Sequence, residues 1–122
     1  DKHGAALVAC LRWLMSEPRL MKLGFSFDHD WEQLEKVAPG LFAESTSVVD
    51  LQKYVSHVAL TETGRGDLIG LSTVVKQYLG APLDKTEQCS EWCKRPLSTS
   101  QIQYAALDAL ILVDLAAVLC GD

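Results

Sequence analysis

The chain reads as an α/β fold, and three observations predict it. Short strand-like stretches alternate with helical patterns, Pro and Gly residues punctuate them, and the last third carries one long, nearly all-apolar helix. The elements follow in order. "GAALVACLRWLM" is apolar over most of its helical surface and stops near "SEPRL", where Pro18 cannot continue a helix. "LMKLGFSF" mixes aliphatic and aromatic side chains as a short buried strand does. "DHDWEQLEKVAPG" opens on acidic residues and closes on Lys36 and a Pro–Gly pair, the charge order a helix dipole favours, so Asp28 and Asp30 sit at a strand-to-helix junction. "SVVDLQKYV" starts as a second strand, with Asp50 placed to cap the helix after it.

"DLIGLSTVVKQYLG" predicts a helix ending at Gly80, with Leu68, Leu71, Val75 and Leu79 as its apolar stripe. "APLDKTEQCSEWCKRPLS" is polar and punctuated by prolines, hence mainly loop. The final helix opens with a capping box, Ser98 and Gln101, and from Ile102 to Leu119 is apolar nearly all round, which predicts that it is largely buried. Two strands for at least four helices is a narrow sheet, so an incomplete sheet is expected. No repeat or low-complexity segment divides the chain, which is read as one unit over 1–122.

Composition bounds the function. A chain of 122 residues that is 48% hydrophobic and 22% charged has the make-up of a globular domain. The run from Ala109 to Cys120 is too short for a bilayer span, so no membrane is expected. A net charge of −5 argues against a broad basic face gripping nucleic acid by counterion release, yet leaves open nucleic acid held through divalent cations. Cys89 and Cys93 lack the spacing and histidine partners of a structural zinc site, while Cys10 and Cys120 stand apart. Reduced thiols in an intracellular protein are expected, with nucleus or cytoplasm unresolved.

One residue breaks the pattern of the last helix. Asp108 has Tyr104, Ala105, Ile111 and Leu112 at three and four residues, so no positive charge can reach it from its own helix. An ionised carboxylate in apolar company needs compensation from outside, and a metal ion or a basic side chain are the leading candidates. Tyr104 shares its face. The structural alternative is an aspartate at a surface strip and a tyrosine in the core.

"GLSTVVKQYLGAPLDKTEQCSEWCKRPLSTSQIQYAALDAL" resembles the end of a DEDDy-type 3′–5′ exonuclease domain of the ribonuclease D group, most similar to the animal Mut-seven homologues. The shared features are the "GLS…LG" helix, a serine and tryptophan before "RPL", and Tyr104 to Asp108 as the closing "YxxxD" element. "KLGFSFDHDWEQL" is similar to the family's second acidic motif, and its spacing to Trp31 and Leu34 favours Asp30 over Asp28. The resemblance covers about residues 19 to 116. It implies a ribonuclease H-like exonuclease fold and hydrolysis of RNA or DNA from a single-stranded 3′ end. It further implies two divalent cations, Mg²⁺ with Mn²⁺ able to substitute, about 4 Å apart. By the same resemblance Asp30 and Asp108 are metal ligands and Tyr104 orients the attacking water. Lys85, Lys94 and Arg95 are candidate phosphate contacts, with solvated loop charge as their plainer reading. Trp92, in the "SxW" turn, is expected to pin that loop to the core, with stacking on a base as its alternative, and Trp13 and Trp31 to lie in the core or at its boundary.

The chain departs from the family at the first acidic motif. No strand here carries Asp-x-Glu: "DKH" does not fit and "SEP" ends a helix. The sequence is therefore expected to represent the C-terminal portion of an exonuclease domain, inactive or weak by itself. The alternative is a non-catalytic exonuclease-like module that binds protein or nucleic acid.

Overall fold

A computed structural model describes residues 2–121. The element order is α1 (Lys2–Ser16), β1 (Lys22–Gly24), α2 (Asp28–Val37), α3 (Leu41–Glu44), β2 (Val48–Asp50), α4 (Leu51–Thr63), α5 (Leu71–Leu79) and α6 (Thr99–Cys120). The chain forms two compact units, residues 1–66 and 67–122.

In the first unit β1 and β2 pair in parallel, with Lys22 opposite Val48, Leu23 opposite Val49 and Gly24 opposite Asp50. Parallel strands need a crossover, and α2 with α3 provides it. Neither strand carries an Asp-x-Glu pair. Met15, Ala38 and Leu41 form the core, with Val8, Leu11, Trp31, Leu34 and Val48 packed against it. Trp31 thus lies at the core boundary as expected. Trp13 does not: it points off α1 and is 58% exposed.

Asp50 does more than cap α4. Its carboxylate accepts the Gln52 N–H at 3.0 Å and also the Ser26 and Phe27 N–H groups at 3.0 and 3.4 Å, which ties β2 to the turn that launches α2. The turn leaves Gly24 no room for a side chain, since a Cβ there would overlap the Phe27 ring. Asp28 and Asp30 occupy the first turn of α2 and Lys36 its last, the dipole arrangement the sequence predicts. Glu35 accepts the Phe42 and Gly40 N–H groups, which caps α3 and holds its carboxyl below the usual range.

In the second unit α5 ends at Gly80, which adopts a left-handed φ of 74° and returns its N–H to Lys76 O. The helix starts later than predicted. Residues 65–70 are irregular, so Leu68 lies outside the stripe and is 67% exposed, and Val74 and Val75 are the buried positions. Gly66 and Gly70, one on each side of Leu68, weaken helix propagation there.

The larger correction concerns α6. It has the predicted capping box, but among its described residues only Gln101 and Leu115 are buried. Ile102, Leu107, Leu110, Val113 and Val118 are about half exposed or more. Within this unit α5 and the loop cover one side of α6, and a helix apolar all round needs cover on every side to be buried. By length and composition alone α6 is also long and apolar enough to cross a bilayer, with a hydropathy of 1.9, contrary to the shorter run read from the sequence. Asp108 and Asp114 within it argue against a lipid setting, where each mid-helix carboxylate costs about 2.5–3.5 kcal/mol.

Candidate active site

The inward face of α6 sets the geometry. Gln101, Tyr104, Asp108, Ile111 and Leu115 recur at three- and four-residue spacing along one face and are buried or half-buried, as are Leu112, Ala116 and Leu119 toward the end of the helix. Tyr104 and Asp108 both open onto a cavity of about 680 Å³. Lys85, Gln88 and Trp92 from the loop line it as well, with Ser72 and Thr73 from the first turn of α5. A second, largely apolar cavity of about 390 Å³ adjoins the same two residues between α5 and α6 and reaches Leu79, Leu83, Leu107 and Ile111.

Asp108 is half-buried, and among the described residues none forms a hydrogen bond or ion pair with its side chain. Burial accordingly pushes its carboxyl above the ordinary range. Burial, and then the neighbouring charge of Asp108, pushes the Tyr104 phenol up as well, so it stays protonated at neutral pH. The site therefore presents a hydroxyl that can donate or accept beside a carboxylate that a cation would favour in its charged form. The basic partner considered from the sequence is absent from the contacts of Asp108; Lys85 shares the cavity without pairing with it.

The other predicted residues are placed differently. Lys94 and Arg95 do not line the cavity, and Arg95 donates its guanidinium to the Trp92 and Lys94 carbonyls at 2.6 and 3.0 Å. Asp30 lies in the first unit, exposed in the first turn of α2. Its neighbour Asp28 is held by Lys53 Nζ at 3.0 Å, which raises the lysine's pKa, whereas no described side chain hydrogen-bonds to Asp30. Among the described residues no group of three or more His, Cys, Asp or Glu is arranged to hold a metal ion. All four cysteines are free and exposed.

Trp92 is the anchor the sequence predicts: its Nε1–H donates to Glu87 O at 3.2 Å and its ring lies 5.9 Å from that of Tyr104. Sequence reasoning missed Ser72, Thr73 and Gln88. The only signal for the first two is a pair of small hydroxyl residues just inside the glycine-capped start of α5.

Comparison with known proteins gives this geometry a family. Residues 2–120 match the 3′–5′ exonuclease family. The chain is 36% identical over 118 residues to the human exonuclease mut-7 homolog, a match covering 89% of this chain and 14% of that protein. It is 31% identical over 102 residues to ribonuclease D of Shewanella sp. (strain ANA-3), covering 84% of this chain and 24% of that one. The chain therefore spans well under a third of the length of either relative. Among solved structures, the Aedes aegypti Nibbler EXO domain superposes with a TM-score of 0.77 at 26% identity, covering 95% of this chain and 58% of that one. Trypanosoma brucei RNase D, solved in complex with RNA U12, superposes with a TM-score of 0.80 at 24% identity, covering 98% and 41%, a likeness of fold. With its mixed helices and parallel strands of the ribonuclease H-like kind, the chain belongs to the 3′–5′ exonuclease family.

Proposed function

We propose that this chain contributes to a 3′–5′ exonuclease site that hydrolyses phosphodiester bonds of single-stranded RNA or DNA from the 3′ end, releasing nucleoside 5′-monophosphates. The observation that carries the reading is the placement of Tyr104 and Asp108 on one face of α6, at a cavity that Lys85 also lines, in a chain matched to this family along nearly its whole length. In this reading Asp108 and Asp30 each give a carboxylate to divalent cations, Mg²⁺ with Mn²⁺ as substitute. Two such ions, when bound, activate water and neutralise charge on the scissile phosphate. The described residues do not amount to that full ligand set, since no group of three is assembled among them. Hydrolysis by this chain alone is accordingly expected to be very slow or nil.

The roles of its own residues follow from their surroundings. The protonated Tyr104 hydroxyl orients the attacking water, and Lys85 supplies positive charge to a substrate phosphate. Lys94 and Arg95 are more distant phosphate contacts, with Arg95 already engaged by loop carbonyls. Free, exposed cysteines support an intracellular setting. The incomplete ligand set favours one other reading, a non-catalytic module that binds nucleic acid or protein through the same surface.

The test is degradation of 5′-labelled single-stranded RNA and DNA in Mn²⁺, with Asp108→Asn as the matched control. A ladder shortening from the 3′ end in the parent and absent from the variant supports the nuclease reading and shows that this chain builds a working site. Binding of labelled RNA without cleavage, unchanged in Asp108→Asn, supports the module.

A further inference from the structure

We infer that Gln101 is a positioning residue whose side-chain amide fastens the Ser90–Trp92 turn to the first turn of α6, setting Trp92 against Tyr104 and so fixing the phenol at the cavity. The capping box needs only the Gln101 carbonyl oxygen, which accepts the Ser98 N–H at 2.9 Å while Ser98 Oγ accepts the Gln101 N–H at 3.0 Å. A glutamate would serve that purpose and would suit the helix dipole better. What the amide adds is its NH₂ group, and both protons are used in the loop: Nε2 donates to Ser90 Oγ at 2.6 Å and to Glu91 O at 3.3 Å. Gln101 is only 6% exposed and both bonds are partly buried, so a donor that loses its acceptor there is poorly served by water.

A second fastening lies alongside, where Ser100 Oγ donates to Glu87 Oε1 at 2.8 Å. Glu87 is the residue whose carbonyl receives the Trp92 indole N–H. The loop is thus latched to α6 at Glu87 and at Ser90–Glu91, and Trp92, which directly follows the second latch, packs its ring on Tyr104 one helical turn beyond Gln101. Asp108 follows one turn further along the same face. The loop's other described hydrogen bonds run within the loop itself, so the hydrogen bonds to Gln101 and Ser100 are what tie it to α6, and with it the ring set against Tyr104.

The catalytic meaning of this coupling rests on the nuclease reading; the coupling itself does not. The test uses the full chain labelled with ¹³C in its three tyrosine rings, Tyr54, Tyr78 and Tyr104, with the Tyr104 signal identified by Tyr104→Phe. Gln101→Glu keeps the capping acceptor and removes the donors, and Ser90→Ala removes the loop acceptor without touching α6. Both variants are expected to keep their helical circular dichroism while the Tyr104 ring signal moves as Trp92 leaves its face; Tyr54 and Tyr78 stay unchanged. Unaltered Tyr104 ring shifts in both variants would mean that Gln101 is only a cap. In a preparation with measurable exonuclease activity, the same variants should lower kcat about tenfold with KM little changed. Failure of the nuclease reading leaves the spectroscopic result standing.

Discussion

Asp108 illustrates how a single residue can be legible in sequence while its surroundings are not. Its apolar neighbours at helical spacing predict a carboxylate starved of solvent, and the structure half-buries it and shifts its carboxyl upward by desolvation. The sign of the consequence follows. A folded-state pKa above the unfolded one means the folded chain binds that proton more tightly, so ionisation weakens folding. The penalty is absent below the ordinary aspartate value of about 3.9 and grows as pH rises through the folded value. Asp108→Asn in chelator should therefore melt at a higher temperature than the parent at pH 7, with the gap closing near pH 3.5. A variant melting lower at pH 7 would show that the carboxylate has a favourable partner in solution. Asp50 was legible as a cap, but not as the acceptor for Ser26 and Phe27, because those two lie 24 and 23 residues away in the chain.

At the scale of elements, local signals placed the start of α6, the C-terminus of α5 and the cap of α4, since capping side chains and left-handed glycines act within one turn. They failed at the start of α5, where an apolar residue in register, Leu68, was read as helical although the glycines around it leave the segment irregular. Burial separates elements that composition makes alike. Leu41 is fully buried in the core of the first unit, whereas Leu7, on α1, is 71% exposed. Leu41→Ala should cost about 2–5 kcal/mol in urea unfolding, and Leu7→Ala no more than about 0.5 kcal/mol. Equal costs would mean that α1 buries its outer face in solution.

For the whole molecule, the exposed apolar side chains of α6 carry the main physical consequence. Ile102, Leu107, Leu110, Val113 and Val118 put apolar surface in water on a single helix, the kind of patch that drives association. The chain is expected to bind the dye ANS and to show concentration-dependent mass in light scattering. A monodisperse monomer that ignores the dye would contradict that exposure. The alternation of strands and helices, the helix caps, the "YxxxD" pair and the family were all determined by the sequence, because each depends on residues a few positions apart or on their order. What only the tertiary structure decided was which apolar faces are covered, that Lys85 but not Lys94 or Arg95 reaches the cavity, and that Gln101 latches the loop to α6. Those outcomes depend on contacts between segments brought together by packing, and no local pattern of residue types records which neighbour a side chain will meet.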